Sequence, residues 1–132
     1  MKQRTSHYIY LIIFLFSFKV FFAQEYTLNI LSKNKFELFP IPLCSTLSLT
    51  QLQLGRNTIN SLPDCIGQLK NLEHLDIWYN NIYALPPTIS QLKKLKTLDF
   101  RGVNLSEKAQ EQIQALLPST KIEFDLGCDC AH

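Results

Sequence analysis

The chain has 132 residues, of which 46% are hydrophobic and 18% charged, enough apolar material for one compact domain. Its formal charge of +2 depends on Lys2, Arg4 and Lys19. Without these three, ten basic residues face eleven acidic ones, so the body of the chain is near −1 and carries no basic footprint for nucleic acid.

Residues 1–23 differ from the rest. Lys2 and Arg4 precede an apolar run from Tyr8 to Phe18, and Phe22-Ala23 gives way to Gln24-Glu25. A basic start, a short apolar middle and a small residue before a polar switch are the pattern of a secretory signal peptide. The run would reach only about 16 Å as a helix, against a hydrocarbon core of ~30 Å, and Lys19 interrupts it, so a membrane anchor fits poorly. The expected product is exported (periplasmic, cell-surface or secreted), with no membrane span once the leader is removed.

From residue 26 the chain repeats itself. Leu49, Leu72 and Leu95 stand 23 residues apart and open three matching segments, LTQLQLGRNTI, LEHLDIWYNNI and LKTLDFRGVNL. Each L-x-x-L-x-L alternates as a short strand. An Asn then turns the chain, and Leu62-Pro63 or Leu85-Pro86 starts a return segment, since Pro cannot donate to a strand ladder. Residues 26–48 form a worn first repeat, in which Asn34, Phe36, Phe39, Pro40 and Leu43 match Asn57, Ile59, Leu62, Pro63 and Ile66 one period later. The repeats 49–71 and 72–94 are the clearest. The fourth, 95–117, has Val103 in place of the turn Asn, and Ser106 caps a helix whose Ala109, Ile113, Leu116 and Leu117 share one face before Pro118. Residues 121–125 supply a closing strand.

The pattern L-x-x-L-x-L-x-x-N-x-L resembles the leucine-rich repeat family, and the resemblance runs through most of the chain after residue 25. It implies an α/β solenoid of about four coils, with a short parallel β-sheet on the concave face and a C-terminal helix-strand cap. The domain then spans 24–125, between the signal peptide 1–23 and a Cys-containing tail, 126–132. Single coils cannot bury both sides of their leucine row, so neighbours must stack. Asn34, Asn57 and Asn80 look like the family's asparagine ladder, with amides that can satisfy buried backbone groups on the adjacent coil.

The resemblance also implies that residues between the strand leucines face the concave surface. This gives Thr50, Gln51, Gln53, Gly55 and Arg56, then Glu73, His74, Asp76, Trp78 and Tyr79, then Lys96, Thr97, Asp99, Arg101 and Gly102. Columns form from Gln51, His74 and Thr97, and from Gln53, Asp76 and Asp99. Trp78 and Tyr79, flanked by Arg56 and Arg101, have the composition of an interface hot spot. The partner-binding set is therefore Trp78, Tyr79, His74, Asp76, Arg56, Asp99 and Arg101. His74, Asp76 and Trp78, two apart, are expected on one strand face.

Enzymatic chemistry lacks its parts. Glu73, His74 and Asp76 are accompanied by no nucleophile motif, phosphate-cradling loop or second ligand cluster. No cofactor or catalytic residue is expected. Cys128-Asp129-Cys130-Ala131-His132 could offer soft metal ligands, but a terminal C-x-C-x-H lacks a fourth ligand, and no metal site is assigned. Asn104-Leu105-Ser106 is a glycosylation sequon. Four cysteines admit three pairings. Cys44 and Cys65, at nearly equivalent places in consecutive repeats, can form a bridge or remain thiols. The sequence thus reads as a non-catalytic module binding a protein or peptide. The alternative is a structural surface protein that self-associates or is disulfide-linked.

Overall fold

This computed structural model describes the backbone of residues 26–28 and, with side chains, residues 33–103 and 105–125. The leader, Asn104 of the sequon and the tail thiols Cys128 and Cys130 lie outside the described residues. Among those described, no helix is long and apolar enough to cross a membrane.

The 23-residue period returns the chain to the same place on every winding. The result is a parallel sheet whose spatial order is its chain order: β1 (Tyr26–Leu28), β2 (Leu49–Gln53), β3 (His74–Asp76), β4 (Thr97–Asp99) and β5 (Lys121–Glu123). Register is strict over the last four strands. Gln51 pairs with His74, Thr97 and Lys121 in succession, Leu52 with Leu75, Leu98 and Ile122, and Gln53 with Asp76, Asp99 and Glu123. Between β1 and β2 the register shifts after Tyr26, where the sequence repeat is also worn.

Each return path is a 3₁₀ segment following a proline: Ile41–Ser45 after Pro40, Asp64–Gln68 after Pro63, and Pro87–Gln91 after Pro86. The prolines hold extended ψ values of 91°, 158° and 145°, turning the backbone out of the strand direction before the tight helix begins. At about 2.0 Å per residue, a 3₁₀ turn covers more length than an α-helix of equal residue number, which suits so short a period. Each segment closes with an N–H from Thr46, Leu69 or Leu92 donated to the carbonyl of Leu43, Ile66 or Ile89. In the fourth winding the α-helix α1 (Glu107–Leu116) replaces the 3₁₀ segment. The Ser106 hydroxyl accepts from the Ala109 N–H at its start, and Ile113 faces the core.

The interior is built from equivalent positions stacked in columns, such as Leu49, Leu72 and Leu95, or Leu54, Ile77 and Phe100, all at most 4% exposed. The Phe100 column continues to Phe124 past the end of β5, where the two rings meet edge-on with centroids 6.2 Å apart. Thr120 is buried there and donates its hydroxyl to the Leu95 carbonyl at 2.8 Å.

The turn asparagines join the coils through polar contacts. Asn80 accepts from the Ile59 N–H at 3.0 Å and donates to the carbonyls of Leu54 and Ile77 at 2.9 and 3.0 Å, so one side chain spans two windings. Asn57 accepts from the N–H groups of Asn34 and Phe36 and donates to the Leu54 carbonyl. Asn34, at the equivalent position of the first coil, is exposed, and its backbone N–H donates to the Asn57 amide oxygen at 3.0 Å.

Cys44 and Cys65, open between bridge and free thiols in the sequence, are joined as a disulfide, with Cα atoms 5.7 Å apart. The bond fastens the first 3₁₀ segment to the second. Two outcomes follow. Asn80→Ala should lower unfolding free energy by about 1–3 kcal/mol, because the Ile59 N–H and the Leu54 carbonyl lose a buried partner; urea titration at neutral pH measures it. Cutting the disulfide frees a 21-residue separation, for which chain entropy predicts a loss of about 3 kcal/mol. Dithiothreitol should therefore shift the urea midpoint of the native chain but not that of a Cys44→Ala, Cys65→Ala double variant.

Candidate functional site

Along each strand the leucines turn inward and the residues between them form the solvated face. On that face the column Gln51, His74, Thr97 and Lys121 runs beside Gln53, Asp76, Asp99 and Glu123, and all of these but Lys121 line a shallow hollow of about 230 Å³. His74 Nδ1 and Thr97 Oγ1 share a hydrogen bond of 2.7 Å across neighbouring strands.

The acids in the hollow have unequal environments. Burial raises the Asp76 carboxyl above its ordinary pKa. The nearby Asp99 charge adds to this, while the Trp78 N–H, donated to Oδ1 at 3.3 Å, and the Arg101 charge oppose it. Burial also works on Asp99, but Arg101 reverses the outcome. Its Nε and Nη2 grip both carboxylate oxygens at 2.9 and 2.6 Å, its backbone N–H adds a third bond, and Asp99 falls below the usual carboxylate range. Arg101 is held correspondingly more strongly protonated. Glu73 is drawn down by its contact with Lys96, at 2.5 Å, and Lys121 pairs with Glu123 at 2.9 Å. The polar face is thus largely paired within itself.

The chain beyond the strands forms a different surface. Lys33, Arg56, Tyr79 and Gly102 occupy one repeat position, 23 residues apart, and all four have left-handed backbones, with φ of 62°, 57°, 49° and 84°. This residue reverses the chain just ahead of the ladder Asn. For residues with a Cβ the conformation costs about 1–2 kcal/mol, so two cations and an aromatic occupy sites that glycine would fill more easily.

The residues one step earlier complete this edge. A Cβ on Gly55 would lie 2.0 Å from Trp78 Nε1 and 2.2 Å from Cδ1, so the indole rests where a side chain of the preceding coil would be. A Cβ on Gly102 would lie 2.7 Å from Tyr79 Cγ and closer than 3 Å to its backbone. Trp78 therefore leans onto the coil before it and Tyr79 onto the coil after it. The two rings meet edge to face with centroids 5.2 Å apart, and the Arg56 guanidinium lies 4.7 Å over the Trp78 ring.

The seven residues singled out in the sequence thus divide. His74, Asp76 and Asp99 line the hollow, and Arg101 clamps Asp99 with its guanidinium while its carbonyl accepts from the Tyr79 N–H at 2.8 Å. Trp78, Tyr79 and Arg56 form the turn edge. Trp78 lies two residues past the end of β3 on the same side as Asp76, whose Oδ1 accepts its backbone N–H at 3.3 Å, and its indole is half-buried between Gly55 and Arg56. Tyr79 remains 58% exposed. The left-handed column went unread, although Gly102 at a fixed repeat position and Gly55 diagonally opposite were visible signals of tight turns and close approach. Among the described residues, no three His, Cys, Asp or Glu side chains converge as a metal-ligand set.

Residues 31–117 match a family model described as a leucine-rich repeat region. Eleven solved chains match as well. One is an LRR protein of Leptospira interrogans, 38% identical, with a TM-score of 0.66 over 68% of this chain and 23% of that one. This chain therefore spans about a quarter of that protein's length. No curated protein matches it.

Two measurements test the site. Gly55→Ala should expel the indole, shifting the emission of the chain's single tryptophan to the red and lowering stability by about 1–3 kcal/mol, as overpacking does. The hollow's acids should respond oppositely to pH. A carboxyl with a raised folded pKa disfavours the fold once it ionises, so Asp76→Asn should be neutral or stabilising at pH 7, with the gain disappearing on acidification. A depressed carboxyl stabilises the fold above its unfolded pKa, so Asp99→Asn should be destabilising at pH 7, the loss disappearing as the pH falls through the lowered value. Urea midpoints at the two pH extremes resolve the signs.

Proposed function

Because this chain belongs to the leucine-rich repeat family, we propose that it is a non-catalytic recognition module. Four windings closed by a helix-strand cap carry the docking face, and a protein or peptide partner engages the turn edge at Trp78, Tyr79 and Arg56, with His74, Asp76, Asp99 and Arg101 beside it. The observation that carries this reading is Tyr79. It is a large aromatic, 58% exposed, on a left-handed backbone that glycine adopts at no steric cost. Strain retained in a surface residue is characteristic of binding sites. Exposed Tyr, half-buried Trp and Arg are also the residue types that dominate interface energetics.

The face is small. Five strands at ~4.8 Å span about 24 Å, so contact near ~800 Å² per partner uses most of the sheet and its edge, and the affinity follows from a few anchors. We further propose that the module works outside the cytosol. The signal-peptide pattern of residues 1–23 and the Cys44–Cys65 disulfide, a bond that persists in oxidising compartments, support this reading.

Cross-linking capture in the native host, followed by titration of the purified partner, tests the site. Trp78→Ala should weaken that complex by more than about 1 kcal/mol while its urea midpoint remains close to the native one. Equal affinities for the two proteins would remove Trp78 from the interface.

A further inference from the structure

We propose that the turn edge of the first three coils is a receptor for acidic peptide segments, in which Arg56 binds a partner carboxylate and Trp78 holds the guanidinium in place. This rests on the recognition reading above and adds the chemistry of the partner.

The argument begins with the cations. On the sheet, Lys96 is bound by Glu73, Arg101 by Asp99 with Glu123 at 3.8 Å, and Lys121 by Glu123. Lys33 and Arg56 occupy the left-handed position in consecutive coils, and among the described residues neither has a carboxylate within ion-pair distance. Two exposed positive charges therefore sit one coil apart on an edge, next to a sheet whose cations Lys96, Arg101 and Lys121 are already paired.

Arg56 is also held in position. Its backbone N–H donates to the Trp78 carbonyl at 2.8 Å, its φ is fixed at 57°, and its guanidinium lies 4.7 Å over the indole. Stacking on an aromatic face leaves the N–H donors around the guanidinium rim pointing outward, in the planar fork that matches both oxygens of a carboxylate. Part of the ordering entropy of that long side chain is already lost in the free protein, so less is lost on binding.

The neighbouring surfaces define the rest of the ligand. Tyr79 presents an exposed ring next to Trp78, suited to an apolar or aromatic residue adjoining the acid. The hollow contains Asp76, Asp99 and Glu123, which repel a second carboxylate and keep the acidic group on the turn edge. Two cations beside an aromatic pair suit a short acidic peptide; a nucleic-acid backbone requires a longer basic stripe.

The test uses three N-acetylated, C-amidated hexapeptides that alternate Phe with Glu, Gln or Lys. Each carries a fluorescent label for anisotropy, and emission of the single tryptophan locates the contact. The Glu peptide should bind at least about tenfold more tightly than the Gln peptide, and the advantage should shrink when salt exceeds about 0.5 M. Arg56→Gln should abolish the preference for Glu, and Arg56→Lys should retain part of it; thermal melts of both variants report on the fold. Equal binding of the Glu and Gln peptides, preference for the Lys peptide, or an Arg56→Gln variant that still prefers Glu would overturn the inference. If the Gln peptide binds equally well and Trp78→Ala abolishes that binding, the acidic partner is excluded while the recognition reading stands. Binding of none of the three overturns the acidic receptor alone, since the recognition reading rests on the host partner and its dependence on Trp78.

Discussion

After every strand the backbone bends inward and leaves N–H and C=O groups that no sheet neighbour can reach, and the remaining structure depends on how they are satisfied. Asn80 meets three of them, on two windings, at 2.9 to 3.0 Å. The side chain that closes one turn thereby fixes that coil's height on the one before it, because its oxygen and NH2 both bond the preceding coil while the NH2 also bonds its own. Aliphatic burial supplies the larger free energy but is non-directional, and leucine columns alone would tolerate slippage. The amide rungs make the register between coils definite, so that Gln51, His74, Thr97 and Lys121 arrive side by side.

The left-handed residue just before each ladder Asn is a consequence of the same bend. The chain must reverse its curvature in one step, and the Lys33, Arg56, Tyr79 and Gly102 position absorbs it. Side chains placed there project from the turn edge instead of joining the strand face. Two glycines on a diagonal, Gly55 and Gly102, remove the Cβ atoms that would otherwise occupy the space of Trp78 and Tyr79. Large residues on the third coil thus depend on small ones in the second and fourth, and the aromatic pair spans three windings at the surface.

The fold was largely legible in the sequence because its signals are periodic. A 23-residue spacing of leucines, prolines and asparagines identifies strand, return and turn, and Ser106 with Ile113 and Leu117 marks the closing helix. The site was legible in composition but not in arrangement. Trp78, Tyr79 and Arg56 stand out by residue type, and alternation holds as far as Trp78, with Ile77 buried between Asp76 and Trp78, before it breaks at Tyr79. Period-two reasoning fails once φ changes sign, and that change is announced only by a glycine at the equivalent position of another repeat. The ion pair of Arg101 is a second feature that spacing leaves open. The distance of Arg101 from Asp99 along the chain is two residues, which alternation places on the same face. Whether it reaches outward or grips its neighbour is decided by a bidentate geometry that spacing alone does not encode.

The electrostatic layout separates the sheet from its edge. On the sheet, Glu73 with Lys96, Asp99 with Arg101 and Lys121 with Glu123 place opposite charges together, so a partner approaching the hollow would have to break those pairs to gain new ones. At the turn edge the Arg56 cation is stacked on a ring, an arrangement that fixes position without neutralising charge. A docking ligand can add a hydrogen-bonded ion pair there without displacing one. In the proposed complex the favourable contribution would be concentrated on the second and third coils, where Arg56 and Tyr79 hold left-handed backbones in the free protein, while the neighbouring charged face would contribute shape and repulsion more than attraction.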